Sequence, residues 1–223
     1  MKLNLKKLVL TATLLATAII FDLLISTIPG LNLELPFGGK IFNLGLLPLI
    51  LIGLFLGLKY GLIGGLLYGL YKFSFDYLIF LSTLKEILES WTGTPWTTFH
   101  IIGLIMLDYL IPFTAFGLSG LFNKNHLKTI KNIVLTLVLT SSIWLLSGTM
   151  SGVLLWGSGI KYASSSGDRN IATMIFSFVN DNLFLYSLLY NSIYVISTTV
   201  LIFSILIISR KSLIVIYDNS FEK

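Results

Sequence analysis

Six stretches of this chain are long and apolar enough to be read as membrane spans: 8–28, 42–58, 60–80, 100–122, 132–157 and 183–209. Crossing about 30 Å of hydrocarbon takes roughly 20 helical residues, because backbone amides in lipid must satisfy one another. Charged residues make up 11% of the chain and hydrophobic ones 55%, against roughly 25% charged in a soluble domain. The expectation is an all-α polytopic membrane protein, one compact six-helix bundle over residues 1–223 with no second domain. The second span is short and ends at "GLKYG" (57–61, around Lys59), a tight return into the third. Glycines gather in 38–69, where small side chains let helices approach closely. The opening "MKLNLKKLVLTATLLATAIIF" has an apolar run longer than a signal-peptide core and lacks a small-residue cleavage site, so it reads as a retained first helix.

Charge sets the sidedness. The N-terminus, the turn at Lys59, the 123–131 loop and the C-terminus carry Lys2, Lys6, Lys7, Lys59, Lys124, Lys128, Lys131, Arg210, Lys211 and Lys223. The opposite loops, 29–41, 81–99 and 158–182, carry only Lys40, Lys85, Lys161 and Arg169. Basic residues favour the cytoplasmic side, so both termini are expected there. The formal charge of +5 therefore orients the chain in a bilayer and gives no reason to expect nucleic acid as a partner. Two outer loops are long: 82–99 places Trp91 and Trp96 beside a short amphipathic helix, and 157–182 is a polar insertion whose "IATMIFSFV" could lie along the interface.

Counted inward from the outer ends of their helices, Asp22, Lys72, Asp108 and Asn191 fall at one level, roughly 10–13 Å deep at 1.5 Å per residue. Tyr68, Tyr71, Tyr109, Trp156, Tyr186, Tyr190 and Tyr194 crowd the same zone. Polar groups sharing a depth among aromatic residues suggest a pocket open to the outside. Lys72 and Asp76, four residues apart, could simply neutralise one another, and Asp22 could pair with a neighbouring helix. Asn191 could hydrogen-bond between helices or touch a ligand. Asp108 stands out: a carboxylate at mid-helix in lipid costs about 2.5–3.5 kcal/mol on insertion scales, and no basic residue lies within a helical turn of it. A cationic or proton-donating ligand would complete it. Trp156 suits either an interfacial anchor or a ring stacked on a flat cation.

Several chemistries are excluded or disfavoured. The chain has no cysteine, so thiolate catalysis and cysteine-ligated metals are out. It contains no G-x-x-x-x-G-K-[ST] phosphate loop and no H-E-x-x-H, and its two histidines, His100 and His126, are expected on opposite sides of the membrane. "LSGTMSG" offers serines but no base for a hydrolase. No cofactor and no metal is expected, and binding with transport is favoured over enzymatic turnover.

Three stretches, "LDYLIPFTAFGLSGLF" (107–122), "SGTMSGVLLWGS" (147–158) and "YSLLYNSIYV" (186–195), resemble the S components of energy-coupling factor (ECF) transporters, and among them the thiamine-specific family. The glycine-rich 43–71 stretch agrees in general form. The resemblance implies that Asp108, followed by Tyr109, hydrogen-bonds the aminopyrimidine of thiamine, that Trp156 stacks on the thiazolium, and that Tyr186 and Asn191 complete the pocket. Tyr68 is added from the aromatic zone. The family's histidine, eight residues before the tryptophan, is here Gly148, and the loop after Trp156 is longer than the family leads one to expect. The acidic residue is an aspartate where a glutamate is usual. The resemblance also implies that Ala12 and Ala16, one helical turn apart, dock on the ECF transmembrane coupling subunit, which works with two ATPase subunits.

The expected function is thus capture of a vitamin-like molecule, thiamine or a related compound, at the outer face of a bacterial cell membrane, with the outer loops, 81–99 especially, as a lid. Two alternatives stand beside it: an S component for another vitamin or precursor, and a small intramembrane enzyme.

Overall fold

The first apolar run forms one helix, α1 (Leu5–Thr27). In the computed structural model, which describes residues 5–28, 30, 32–78, 80–122 and 126–221, α1 leads into a loop drawn tight by a single antiparallel bridge between Glu34 and Lys40. Then come α2 (Leu46–Leu56) and α3 (Leu58–Phe73), which runs on as a π-helical turn, Ser74–Leu78. An amphipathic helix, α4 (Leu81–Thr92), precedes α5 (Thr98–Phe122) and α6 (Ile130–Ser165). The short α7 (Ile171–Phe178) and the long α8 (Leu183–Phe221) complete the order. The chain is a multi-pass, all-α membrane protein.

Among the described residues, four helices are long and apolar enough to cross a membrane: α1, α5, α6 and Leu183–Asn219 of α8. The expected second span is shorter, and the third, helical from Leu58 to Leu78, is not among these four. At 1.5 Å per residue, the 11 residues of α2 rise only about 17 Å. Every residue of α2 except Leu47 is buried, so this helix is bundle interior and does not have to match the bilayer. The non-helical chain before it is satisfied by protein: the Asn43 amide donates to Thr198 Oγ1 (3.2 Å), the Gly45 amide to Asn43 Oδ1 (3.1 Å), and Thr198 Oγ1 to the Ile41 carbonyl (3.2 Å). Irregular backbone is tolerated at such depth when it is packed in protein.

Glycine makes the central contact. A Cβ built on Gly117 of α5 would lie 2.3 Å from the carbonyl carbon of Gly61 in α3, and one on Gly61 would lie 2.5 Å from the Gly117 oxygen. Two backbones touch there, as the clustering of glycines in 38–69 leads one to expect. Gly57 turns the chain between α2 and α3 with φ 95°, a conformation open to glycine at little cost.

The basic segments gather at one end of the bundle. Lys7 Nζ reaches the Leu56 carbonyl (3.4 Å), and Arg210 donates to the carbonyls of Leu127 and Lys128 (2.7 and 2.6 Å). Lys2, Lys124 and Lys223, counted with this set from sequence, lie outside the described residues. At the other end α4 forms the short helix expected in 82–99, with Trp91 stacked on Tyr162 of α6 (5.5 Å, 3°). The 157–182 insertion is mostly helical: α6 continues to Ser165, and Asn170 caps α7 by accepting from the amides of Ala172 and Thr173.

Candidate functional site

Among the described residues, three helices each contain one π-helical turn, and all three turns face one cavity. They are Ser74–Leu78 after α3, Ile105–Leu110 in α5 and Gly152–Trp156 in α6. A π turn admits an extra residue and loosens the i→i−4 ladder, and such turns recur at functional sites. Here they bring Asp76, Asp108 and Trp156 to the wall of a cavity of about 560 Å³, a size suited to a small organic ligand.

Asp108 is held by the tryptophan that shares its wall. The Trp156 indole N–H donates to Asp108 Oδ2 at 3.0 Å. Among the described residues no lysine, arginine or histidine forms an ion pair with Asp108. The bond fixes the indole edge and leaves the carboxylate with unfilled acceptor positions. Ser151 lies on the same wall, its buried hydroxyl directed to the Asp108 carboxylate. The next residue, Tyr109, is buried edge-on against Phe73 (5.6 Å) and also borders the cavity.

Tyr186, Asn191 and Gly148 reach the cavity as well. Tyr186 packs on Tyr190, with ring centres 5.5 Å apart. Asn191 donates from Nδ2 to the Ser187 carbonyl (2.6 Å), and its Oδ1 accepts from the Tyr194 hydroxyl. Gly148 faces that pair: a Cβ there would meet Asn191 Oδ1 at 2.6 Å. Tyr68 is different. It is fully buried against Phe113 (5.1 Å) and Tyr71 and is not part of the cavity wall. Its place in the aromatic zone reflects packing between helices.

Four other charges at the site, Asp22, Lys40, Lys72 and Asp76, form one ion-pair network. Lys72 Nζ bridges Asp22 Oδ2 and Asp76 Oδ1, both at 3.0 Å, and Lys40 Nζ adds a contact to Asp22 Oδ1 at 3.2 Å. Asp22 is 2% exposed, and a carboxylate so buried needs such partners. This network fastens Lys40, and with it the end of the first loop, to α1 and α3.

That loop closes the cavity. Phe37, Gly38 and Gly39 face into it with φ of 69°, 92° and 94°. The Tyr190 hydroxyl donates to the Gly38 carbonyl at 2.7 Å and also contacts the Pro36 carbonyl. Segment 81–99, expected as the lid, contributes no residue to the wall. It stands behind the cavity, where Trp96 packs on Trp156 with centres 6.0 Å apart. Sequence spacing gives Tyr190 and Tyr194 only as members of an aromatic face, and gives no hint of Ser151 or Trp144, which also border the cavity.

A family model described as thiamine transporter protein matches residues 8–94 and 87–217. No curated protein matches the chain. The two matched stretches overlap and run through every helix that borders the cavity, including the positions of Asp108 and Trp156. The chain belongs to the thiamine transporter protein family.

Proposed function

We propose that this chain is the substrate-capture subunit, the S component, of an ECF-type transporter that binds thiamine at the outer face of a bacterial cell membrane. The observation that carries the reading is the pairing of Asp108 with Trp156 on one cavity wall, with no cation on the carboxylate among the described residues. Thiamine supplies what such a wall lacks. Its thiazolium is a flat permanent cation, and stacking on an indole face is worth about 0.5–2 kcal/mol. Its aminopyrimidine offers N–H donors to a carboxylate, and charge-assisted bonds of this kind are the strong ones. Tyr109, Tyr186 and Asn191 then shape the rest of the pocket. A thiamine-related compound is the second reading, favoured by Gly148: the space beside that position is taken by Asn191 and Tyr194.

With no phosphate loop of its own, the chain would draw ATP energy from partners: one transmembrane coupling subunit and two ATPases. Ala12 and Ala16 lie on the exposed face of α1, where small side chains allow close approach of another helix. Both termini would be cytoplasmic, by the charge distribution. The test is uptake of labelled thiamine by vesicles holding this chain with and without a coupling module. Accumulation should require the module and ATP, and Ala16→Trp should abolish accumulation while leaving binding intact. Accumulation or chemical conversion of thiamine by the chain alone would overturn the reading.

A further inference from the structure

The Asn191 side chain is committed to the protein at both ends. Its Nδ2 donates to the Ser187 carbonyl at 2.6 Å and lies 3.3 Å from Ser187 Oγ. A carbonyl oxygen can only accept, so the amide orientation is settled, and Oδ1 must be the atom facing Tyr194. The Tyr194 hydroxyl therefore donates its one proton to Asn191. Its oxygen keeps lone pairs and has no proton left to give. The ring is positioned by neighbours on three sides: Trp144 at 5.3 Å between centres, Asn191 on its own helix, and Gly39 of the closing loop, where an added Cβ would fall 2.8 Å from the ring. All of these residues border the cavity.

Gly148 leaves the room for this arrangement. A Cβ built there would lie 2.6 Å from Asn191 Oδ1 and 3.1 Å from the Tyr194 hydroxyl. It would press on both members of the pair at once.

We infer that Tyr194 is a specificity-determining residue whose hydroxyl, fixed by Asn191 and accommodated by Gly148, accepts a hydrogen bond from an N–H or O–H donor of the bound ligand. The inference rests on the proposed capture of thiamine and assigns one further contact in that site. Asn191 then acts by setting the direction of the tyrosine proton. Selectivity follows from the missing proton: a ligand presenting only an acceptor at this point would face the tyrosine oxygen with nothing between them.

The test is calorimetric titration of the purified protein and of Tyr194→Phe with thiamine, with an analogue lacking the pyrimidine amino group, and with one lacking the hydroxyl. The phenylalanine variant keeps the ring and should bind thiamine about tenfold more weakly, the scale of one neutral hydrogen bond. The penalty should vanish for whichever analogue lacks the donor. Gly148→Ala should weaken thiamine in parallel, since it displaces the same pair. An equal penalty for thiamine and both analogues would mean that the ring's packing, and no ligand contact, is at stake, and would overturn the inference. So would an unchanged affinity in Tyr194→Phe while the unsubstituted protein binds normally. If the unsubstituted protein bound none of the three, the thiamine reading would fail first and take this contact with it.

Discussion

At the scale of single residues, Asp108 explains itself through what it lacks. A mid-helix carboxylate is costly in a membrane, and here neutral donors, the Trp156 indole N–H and the Ser151 hydroxyl, face it with no cation on it among the described residues. Asp22, by contrast, has Lys40 and Lys72, and needs no ligand to complete it. Asp108→Asn separates charge from shape, because the amide oxygen can still accept from Trp156. This variant should fold normally, as read by circular dichroism, and should lose about 1.5–3 kcal/mol of thiamine affinity, the range for a hydrogen bond to a charged group. Unchanged affinity would mean that the carboxylate does not touch the ligand. Sequence singles out Asp108 because its isolation from basic residues is a local property. Tyr194 is harder to read there: its role depends on a proton direction set by Asn191 and on space left by Gly148, more than forty residues away.

At the scale of elements, close backbone contact and π turns govern how the helices present their side chains. Gly117 meets Gly61 with no space for a methyl group, and a forced Cβ there should cost about 1–3 kcal/mol by overpacking. Gly117→Ala should accordingly lower the melting temperature in detergent. Gly159→Ala is the control: an added Cβ finds nothing nearer than Trp91 at 3.9 Å, and helix propensity favours alanine. Similar melting for both variants would contradict the packing described. The four long spans are legible as apolar runs, and α4 as an amphipathic segment, because both signals are local. The π turns were not legible, since one extra residue in a turn leaves hydropathy unchanged and shifts only the phase of the face. Nor was the loop at 33–41 distinguishable as the closing element. Its placement comes from Tyr190, some 150 residues away, bonding to Gly38.

At the scale of the whole molecule, the basic segments of the sequence's positive side and the cavity lie at opposite ends of the bundle, which is what the proposed loading from outside requires. The absence of cysteine makes sidedness simple to measure. A single cysteine at Thr94, exposed before α5, should react with an impermeant maleimide in intact cells, whereas one at Ser212, exposed near the end of α8, should react only after permeabilisation. The reverse pattern would invert the topology and turn the cavity toward the cytoplasm. Most direct of all is thiamine titration of the purified protein, followed by tryptophan fluorescence. A saturable quench that disappears in Trp156→Phe is the expected result. A protein that stays folded yet gives neither quench nor heat with thiamine, or a quench that survives loss of Trp156, would contradict the proposed site.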